Sequence, residues 1–450
     1  MVKNPTQMLQ RIFVSLAVFA IAACSSAMPL RPSEGESGTA RRTARLTSPI
    51  KHVVFIVQEN RSFNNIFKGY PGATTAKYGY NSSGEKVTLK SRSFKNTVDP
   101  GHDSNAFFEA CNGTGKQPGT SCQMNGWNLE QYASNDAAYS YLPKSEVVPY
   151  WTLAQQYVLA DQMFASNLDG SFVSHQYIVA AYASHAVDIP TTLWGCEGTK
   201  GDTVGTLTSQ RTYGPAVFPC FDIPTIGGEA DAAKLSWRFY ADGNIGDWES
   251  YSADSPIYNS PDWNTDIETS NQFLTDAAQG KLAAISWVTP TWQNSDHPGI
   301  GSTTGPAWVA SLVNAVGTSK YWNSTAIFIM WDDWGGWFDP VQPVFEDYDG
   351  LGFRVPLIVV SPYAKQGSVT HVQYETASVV RFIEDNFGLG QLAEADARAN
   401  DPANDPSVFD FSQKPRKFQK IAGSKPMSFW VKLGRSPVDV RAVLRQTNGD

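Results

Sequence analysis

His52-Val53-Val54-Phe55-Ile56-Val57-Gln58 is an unbroken run of β-branched and aromatic residues that opens directly onto Glu59-Asn60. Far along the chain, Thr325-Ala326-Ile327-Phe328-Ile329-Met330-Trp331 repeats the pattern and opens onto Asp332-Asp333. Continuous apolar runs of this kind suit strands covered on both faces of a parallel sheet. In open α/β sheets, ligands bind just outside the carboxyl ends of such strands. Three carboxylates and one amide oxygen placed there form a hard, oxygen-donor set suited to a divalent cation. Two more apolar runs, 283–288 and 355–360, end in Pro-marked turns at Thr289-Pro290 and Ser361-Pro362. Helical spacing at 308–316 and Thr376–Phe387 places helices between strands, which predicts a mostly parallel α/β sheet. The stretch 193–271 is rich in aromatics, Gly and Pro with little periodicity, and reads as an irregular cap over the active-site face.

The 450 residues carry a formal net charge of −8. With a sequence pI near 5.3 and no basic stripe evident, a nucleic-acid partner is excluded. Charged residues make up 17% of the chain, and such a low share fits an extracytoplasmic surface. Lys3 and Arg11 precede an apolar stretch at 12–23, the layout of a secretory signal and short for a membrane span. It ends in Ile21-Ala22-Ala23-Cys24, which resembles a bacterial lipobox with Cys24 as the lipidated residue; ordinary signal cleavage nearby is the alternative. The expected organisation is a signal peptide at 1–23, a flexible Ser/Arg/Pro/Gly tether at 24–47 and one domain over 48–450. Cys111, Cys122, Cys196 and Cys220 then remain, an even set for an oxidising compartment. Of the three pairings, Cys111–Cys122 with Cys196–Cys220 closes short Gly/Thr/Pro loops and is favoured; a zinc site lacks CxxC spacing.

Few histidines are present, so each can be read. His102 lies in the turn-forming Asp99-Pro100-Gly101-His102-Asp103, and His297 follows a proposed strand in Asp296-His297-Pro298. His52 and His185 read as structural, while His175 and His371 stay open, His175 being the stronger. Just before His175, Gly170-Ser171 looks like a tight turn opening a helix. A hydroxyl there would sit beside free backbone N–H groups and the positive helix end, where phosphate binds. Serine is also a common N-cap with no further role.

Lys51-His52-Val53-Val54-Phe55-Ile56-Val57-Gln58-Glu59-Asn60-Arg61-Ser62-Phe63 resembles the opening signature of the bacterial phosphoesterase family that joins phospholipases C and AcpA-type acid phosphatases. The similarity continues through Pro219-Cys220-Phe221-Asp222, Ser295-Asp296-His297-Pro298, Trp331-Asp332-Asp333-Trp334-Gly335-Gly336-Trp337 and Gly352-Phe353-Arg354-Val355-Pro356. The resemblance implies an alkaline-phosphatase-like, three-layer α/β sandwich. It implies Glu59, Asn60, Asp332 and Asp333 as ligands of one divalent metal ion (Ca²⁺, Mg²⁺ or Mn²⁺), Ser171 as the nucleophile that becomes phosphoserine, and His102 and His297 as active-site histidines. This chain departs from the family at Asn64, where relatives carry Asp, and at Pro340, where they carry His; Ser171 also lacks a preceding Pro.

The expected function is an exported, metal-dependent phosphoesterase acting on small phosphate monoesters, because the chain ends soon after the catalytic region. A phospholipase C acting on phospholipid head groups is the first alternative, and an inactive surface-binding lipoprotein the second. Membrane attachment would run through lipidated Cys24. If so, Cys24→Ser should move the protein from the membrane to the soluble fraction on cell fractionation; unchanged partitioning would indicate simple signal cleavage.

Overall fold

The two apolar runs lie side by side, paired in parallel over their whole length from His52 opposite Thr325 to Gln58 opposite Trp331. The computed structural model describes residues 48–131, 136–191, 193–241 and 248–433, so the expected signal peptide at 1–23, Cys24 and the expected tether at 24–47 lie outside the described residues. The central sheet contains His52–Gln58 (β1), Val158–Ala160 (β2), Trp237–Ala241 (β3), Ile267–Thr269 (β4), Ile285–Val288 (β5), Thr325–Trp331 (β6), Leu357–Val360 (β7) and Ser368–Thr370 (β8). Their spatial order is β4-β3-β5-β1-β6-β7-β2-β8. All run the same way except β7, which is antiparallel to both neighbours. No helix interrupts the chain between Trp331 and Leu357, and since parallel neighbours are usually joined through a crossover helix, the antiparallel return is in keeping with that connection.

Strand alternation sorts side chains into two faces. Phe239, Trp287, Phe55 and Phe328 stand in register across β3, β5, β1 and β6 and so share one face. Against that face pack Ser171–Ala180 (α2), whose Ile178 carbonyl accepts the Trp287 indole N–H at 3.0 Å, and Thr376–Phe387 (α5), whose Phe382 ring lies 4.8 Å from Phe328. On the other face Trp331 meets Tyr150 of Val148–Gln156 (α1) at 4.8 Å, and Tyr240 meets Phe273 of Gln272–Gln279 (α3) at 5.4 Å. Gly305–Gly317 (α4) packs on both α1 and α3. The result is the expected three-layer α/β sandwich around a mostly parallel sheet.

The segment 193–271 differs from its reading as an irregular cap. It contributes β3 and β4 to one edge of the sheet. Trp237-Arg238-Phe239-Tyr240-Ala241 is too short to show a strand period, so its neighbours' irregularity masked it. Other parts of the segment lie against the helix that follows Ser171: Trp194 stacks edge-on with Phe172 at 5.3 Å, and Ser250–Ala253 packs on α2. The cysteines pair as Cys111–Cys122 and Cys196–Cys220, the favoured pairing.

Trp287 joins the sheet to α2 by ring packing and by its N–H. Trp287→Ala should lower unfolding free energy by about 3–5 kcal/mol, measured by urea denaturation.

Candidate active site

Alternation along β1 and β6 continues past the strand ends. Phe55 and Val57 face α2, and so does Glu59; Phe328 and Met330 share that face, and so does Asp332. The strand ends are tied by the Asp332 N–H donating to the Gln58 carbonyl at 2.9 Å. Asn60 then turns with φ 58°, a left-handed conformation costly for a side chain other than Gly, and its N–H donates to Asp332 Oδ1 at 2.8 Å. Gly335 (φ 60°) crosses so close behind that a Cβ there would stand 1.9 Å from the Asn60 carbonyl oxygen.

Ser171 begins α2, and its hydroxyl reaches this cluster. Its Oγ lies 3.2 Å from Glu59 Oε2 and 3.4 Å from Asp333 Oδ2, either of which can take its proton, and it accepts from Asn60 Nδ2 at 3.3 Å. Asn60 Nδ2 also donates to Asp333 Oδ2 at 3.0 Å, and Asp333 Oδ1 accepts the Gly335 N–H at 2.7 Å. Asp169 braces the turn by accepting backbone N–H groups of Gly170, Asp188 and Ser104 at 2.7, 3.0 and 2.9 Å. Burial, with Asp188 and Asp103 nearby, pushes Asp169 up to about 8.

His175 is the stronger of the two histidines that sequence reasoning left open. One turn beyond Ser171, it puts Nε2 3.0 Å from Glu59 Oε1 and 3.8 Å from Asp332 Oδ2. The i, i+4 spacing from Ser171 was the available signal, since such residues share a helix face. Glu59, His175 and Asp332 each offer a ligand atom within 4.8 Å of the others, so they could hold a metal ion.

The electrostatics agree. Glu59 is held well above the usual carboxylate range by burial and by Asp332 and Asp333, and Asp333 likewise by burial and Asp332. Among the described residues, the one basic side chain within ion-pair reach of these acids is His175. Burial pushes it down to about 4 despite the pull of Asp332, so it brings no charge at neutral pH. Asn60 Oδ1 and Asp332 Oδ2 are buried without hydrogen-bond partners. A compact, uncompensated oxygen set with orphan lone pairs fits a divalent cation.

His102 and His297 sit together at the border of this cluster. Their rings meet edge to face at 5.7 Å, and a Cβ at Gly170 would lie 3.4 Å from His102 Cδ2. Both use Nδ1 on a carbonyl, His102 on Pro100 at 2.9 Å and His297 on Pro298 at 2.5 Å. A carbonyl only accepts, so each Nδ1 carries the proton and each Nε2 is left open. Burial lowers His297, which Asp99 partly offsets.

Behind His297 the opposite face of the strand ends takes over. Asp296 accepts Tyr150 O–H at 2.7 Å and Trp331 Nε1–H at 3.1 Å; its N–H donates to Gln58 Oε1 at 3.0 Å, and its carbonyl accepts from Arg61 Nε at 2.8 Å. Burial raises Asp296 to about 7. Asn64 ties the start of its helix to Asp339 and Ala76, and none of its hydrogen bonds goes to the acid cluster. Pro340 follows Asp339, whose carboxylate is taken by Arg354 at 2.8 and 3.0 Å. His52 and His185 serve as braces, on the Ala283 carbonyl and on Asp349.

Comparison with known proteins bears on this arrangement. The chain is 24% identical over 444 residues to the non-hemolytic phospholipase C of Pseudomonas aeruginosa, a match covering 84% of this chain and 60% of that protein. It is 23% identical over 436 residues to phospholipase C B of Mycobacterium tuberculosis, covering 81% of this chain and 78% of that one. Among solved structures, a protein in the alkaline phosphatase superfamily from Vibrio parahaemolyticus overlaps 78% of this chain and 69% of its own, at 10% identity and a TM-score of 0.36. The model of the Phosphoesterase family matches residues 50–390, from the start of β1 to beyond α5. The chain belongs to the Phosphoesterase family, hydrolases acting on phosphoric ester bonds.

Proposed function

We propose that Ser171 is the nucleophile of a metal-dependent phosphoester hydrolase. The observation that carries this reading is the Ser171 hydroxyl, held between Glu59, Asp333 and Asn60 at the N-terminus of a ten-residue helix. Glu59, Asn60, Asp332 and Asp333 would hold one divalent cation, with His175 beside them. The cation, when bound, supplies positive charge that lowers the Ser171 pKa and neutralises phosphoryl oxygens. Oxygen donors favour Ca²⁺, Mg²⁺ or Mn²⁺, and a neighbouring imidazole favours Mn²⁺ among them.

The chain's own groups account for the rest. Ser171 Oγ gives its proton to a flanking carboxylate and bonds to phosphorus as the ester P–O bond breaks. With Nδ1 held on a carbonyl, the open Nε2 of His102 or His297 must take up a further proton before the ring can deliver it to the departing alcohol, and Nε2 recovers that proton from the water that attacks in the second step. Water then attacks the phosphoserine and regenerates the hydroxyl. The N-terminal N–H groups of α2 stabilise charge gathering on phosphorus oxygens.

Both named relatives are phospholipases C. That favours a phospholipid head-group diester as substrate over the expected monoester. A purely binding lipoprotein is disfavoured because no proposed ligand is missing. The chain covers 60% of the Pseudomonas protein, and the full activity of that enzyme is not carried over with it.

Ser171→Ala should retain bound metal but lose kcat by at least about 10³-fold, and acid quench of the wild type with labelled substrate should leave phosphate on Ser171. Label elsewhere, or near-normal kcat, would leave metal-activated water as the mechanism. Comparing phosphate release from a monoester with phosphocholine release from phosphatidylcholine, with and without chelator, decides the substrate class.

A second outcome concerns stability. Raised folded-state pKa values mean that the metal-free protein holds protons the unfolded chain releases. The contribution of Glu59 and Asp333 should therefore fall as pH rises above about 4, offset in part up to about pH 6.5 by His175 and His297, whose lowered pKa values act the other way. Asp332→Asn removes one like charge, so in chelator at neutral pH it should raise stability by on the order of 1–2 kcal/mol while lowering metal content. Thermal melts and elemental analysis read both effects; a lower melting point in chelator would contradict the charge argument.

A further inference from the structure

Although the chain is acidic overall, between Lys68 and Lys95 it carries Lys68, Lys77, Lys86, Lys90, Arg92 and Lys95 against the single acid Glu85. These residues are too scattered in sequence to read as a basic stripe, and the fold gathers several of them. Tyr78–Tyr80 pairs antiparallel with Lys86–Thr88, Tyr80 opposite Lys86 and Tyr78 opposite Thr88. Cross-strand partners share a face, so Tyr78, Tyr80, Lys86 and Thr88 all point outward. Gly79 points inward, where a Cβ would meet Phe338 at 2.5 Å and Tyr139 at 2.9 Å. Lys90 continues the outer row, pairing beside Ser140, and Lys68 Nζ sits 3.7 Å from the neighbouring Tyr141 ring centroid.

Two tyrosines, 42% and 50% exposed, are left on this face, with Lys86 Nζ 3.8 Å from the Tyr78 ring centroid. Nearby acids are already engaged: Glu85 by Asn81, and Glu146 by Ser93 and the Phe94 N–H. The hairpin is hung on the turn that follows Asp333. Phe338 of that turn packs on Gly79, and Gly336 (φ 70°) packs on Pro100 and Gly101, next to His102. The basic stretch itself runs on into Asp99 and His102, the more exposed residues bordering the acid cluster, with side chains 22% and 20% exposed.

We infer that the outer face of the 78–88 hairpin, extended by Lys90 and Lys68, docks the enzyme on an anionic lipid surface beside its active site. Tyrosine suits the boundary between head groups and acyl chains, being apolar in the ring and polar at the tip. Each lysine near an anionic membrane strengthens binding about fivefold. The acidic remainder of the protein is screened beyond a Debye length of about 8 Å at physiological salt. This inference rests on the phospholipid reading for its purpose, though not for its measurement.

The test uses the exported protein carrying Cys24→Ser, so that no acyl anchor contributes, in chelator, so that no lipid is consumed. Sedimentation with vesicles of phosphatidylcholine, alone or mixed with phosphatidylglycerol, should show binding to the mixed vesicles that weakens with salt. Lys86→Glu/Lys90→Glu should reduce that binding at least about 25-fold, and Tyr78→Ser/Tyr80→Ser should weaken it as well. Both variants should keep the parent's melting temperature and its turnover of a soluble phosphate ester. Unchanged vesicle binding in both variants would overturn the inference, as would no preference for the anionic vesicles. Binding to heparin or an oligonucleotide in place of vesicles would also overturn it, by assigning the face to another polyanion. Vesicle binding without phospholipid hydrolysis would keep the docking face and remove the phospholipase reading instead.

Discussion

Three carboxylates brought to one buried point by two adjacent parallel strands are the constraint around which the rest is arranged. Glu59, Asp332 and Asp333 cannot all remain charged there without a cation, and among the described residues no side chain provides one. Local backbone strain accompanies them. Asn60 is held left-handed by its bond to Asp332, and Gly335 passes where no side chain would fit. The metal-free fold thus carries a local cost that a bound cation can offset, and the core supplies the surplus stability to tolerate it.

The site is assembled from both faces of the sheet. Glu59 and Asp332 look toward α2, where Ser171 and His175 wait. Their chain neighbours Gln58 and Trp331 look the other way and hold Asp296, the residue before His297. The acid cluster and His297 are therefore positioned by the same pair of strands, through successive residues.

Much of this was legible in the sequence because strand ends announce themselves. A long apolar run stopping at Glu59-Asn60 or Asp332-Asp333 places polar groups at a sheet's carboxyl edge by length and composition alone. The Gly170-Ser171 turn and the two disulfides were likewise readable from local signals. What was not readable depends on contacts distant in sequence. His175 gained its position only once α2 was docked above β1 and β6. The strand at Trp237–Ala241 lay hidden within irregular neighbours, since five residues, four of them buried, are too few to show a period. The shared outer face of Tyr78, Tyr80 and Lys86 exists only through cross-strand register.

That two-sided construction bears on how such a chain can evolve. A strand has a period of two, so losing or gaining a single residue within β1 would turn Gln58 toward the serine and Glu59 toward the tryptophan layer, and the same change within β6 would exchange Trp331 and Asp332. Either change would reverse every side chain that strand delivers at once, with no partial version for selection to improve. Length variation among descendants should therefore gather in the loops between sheet elements, while these two seven-residue strands keep their length.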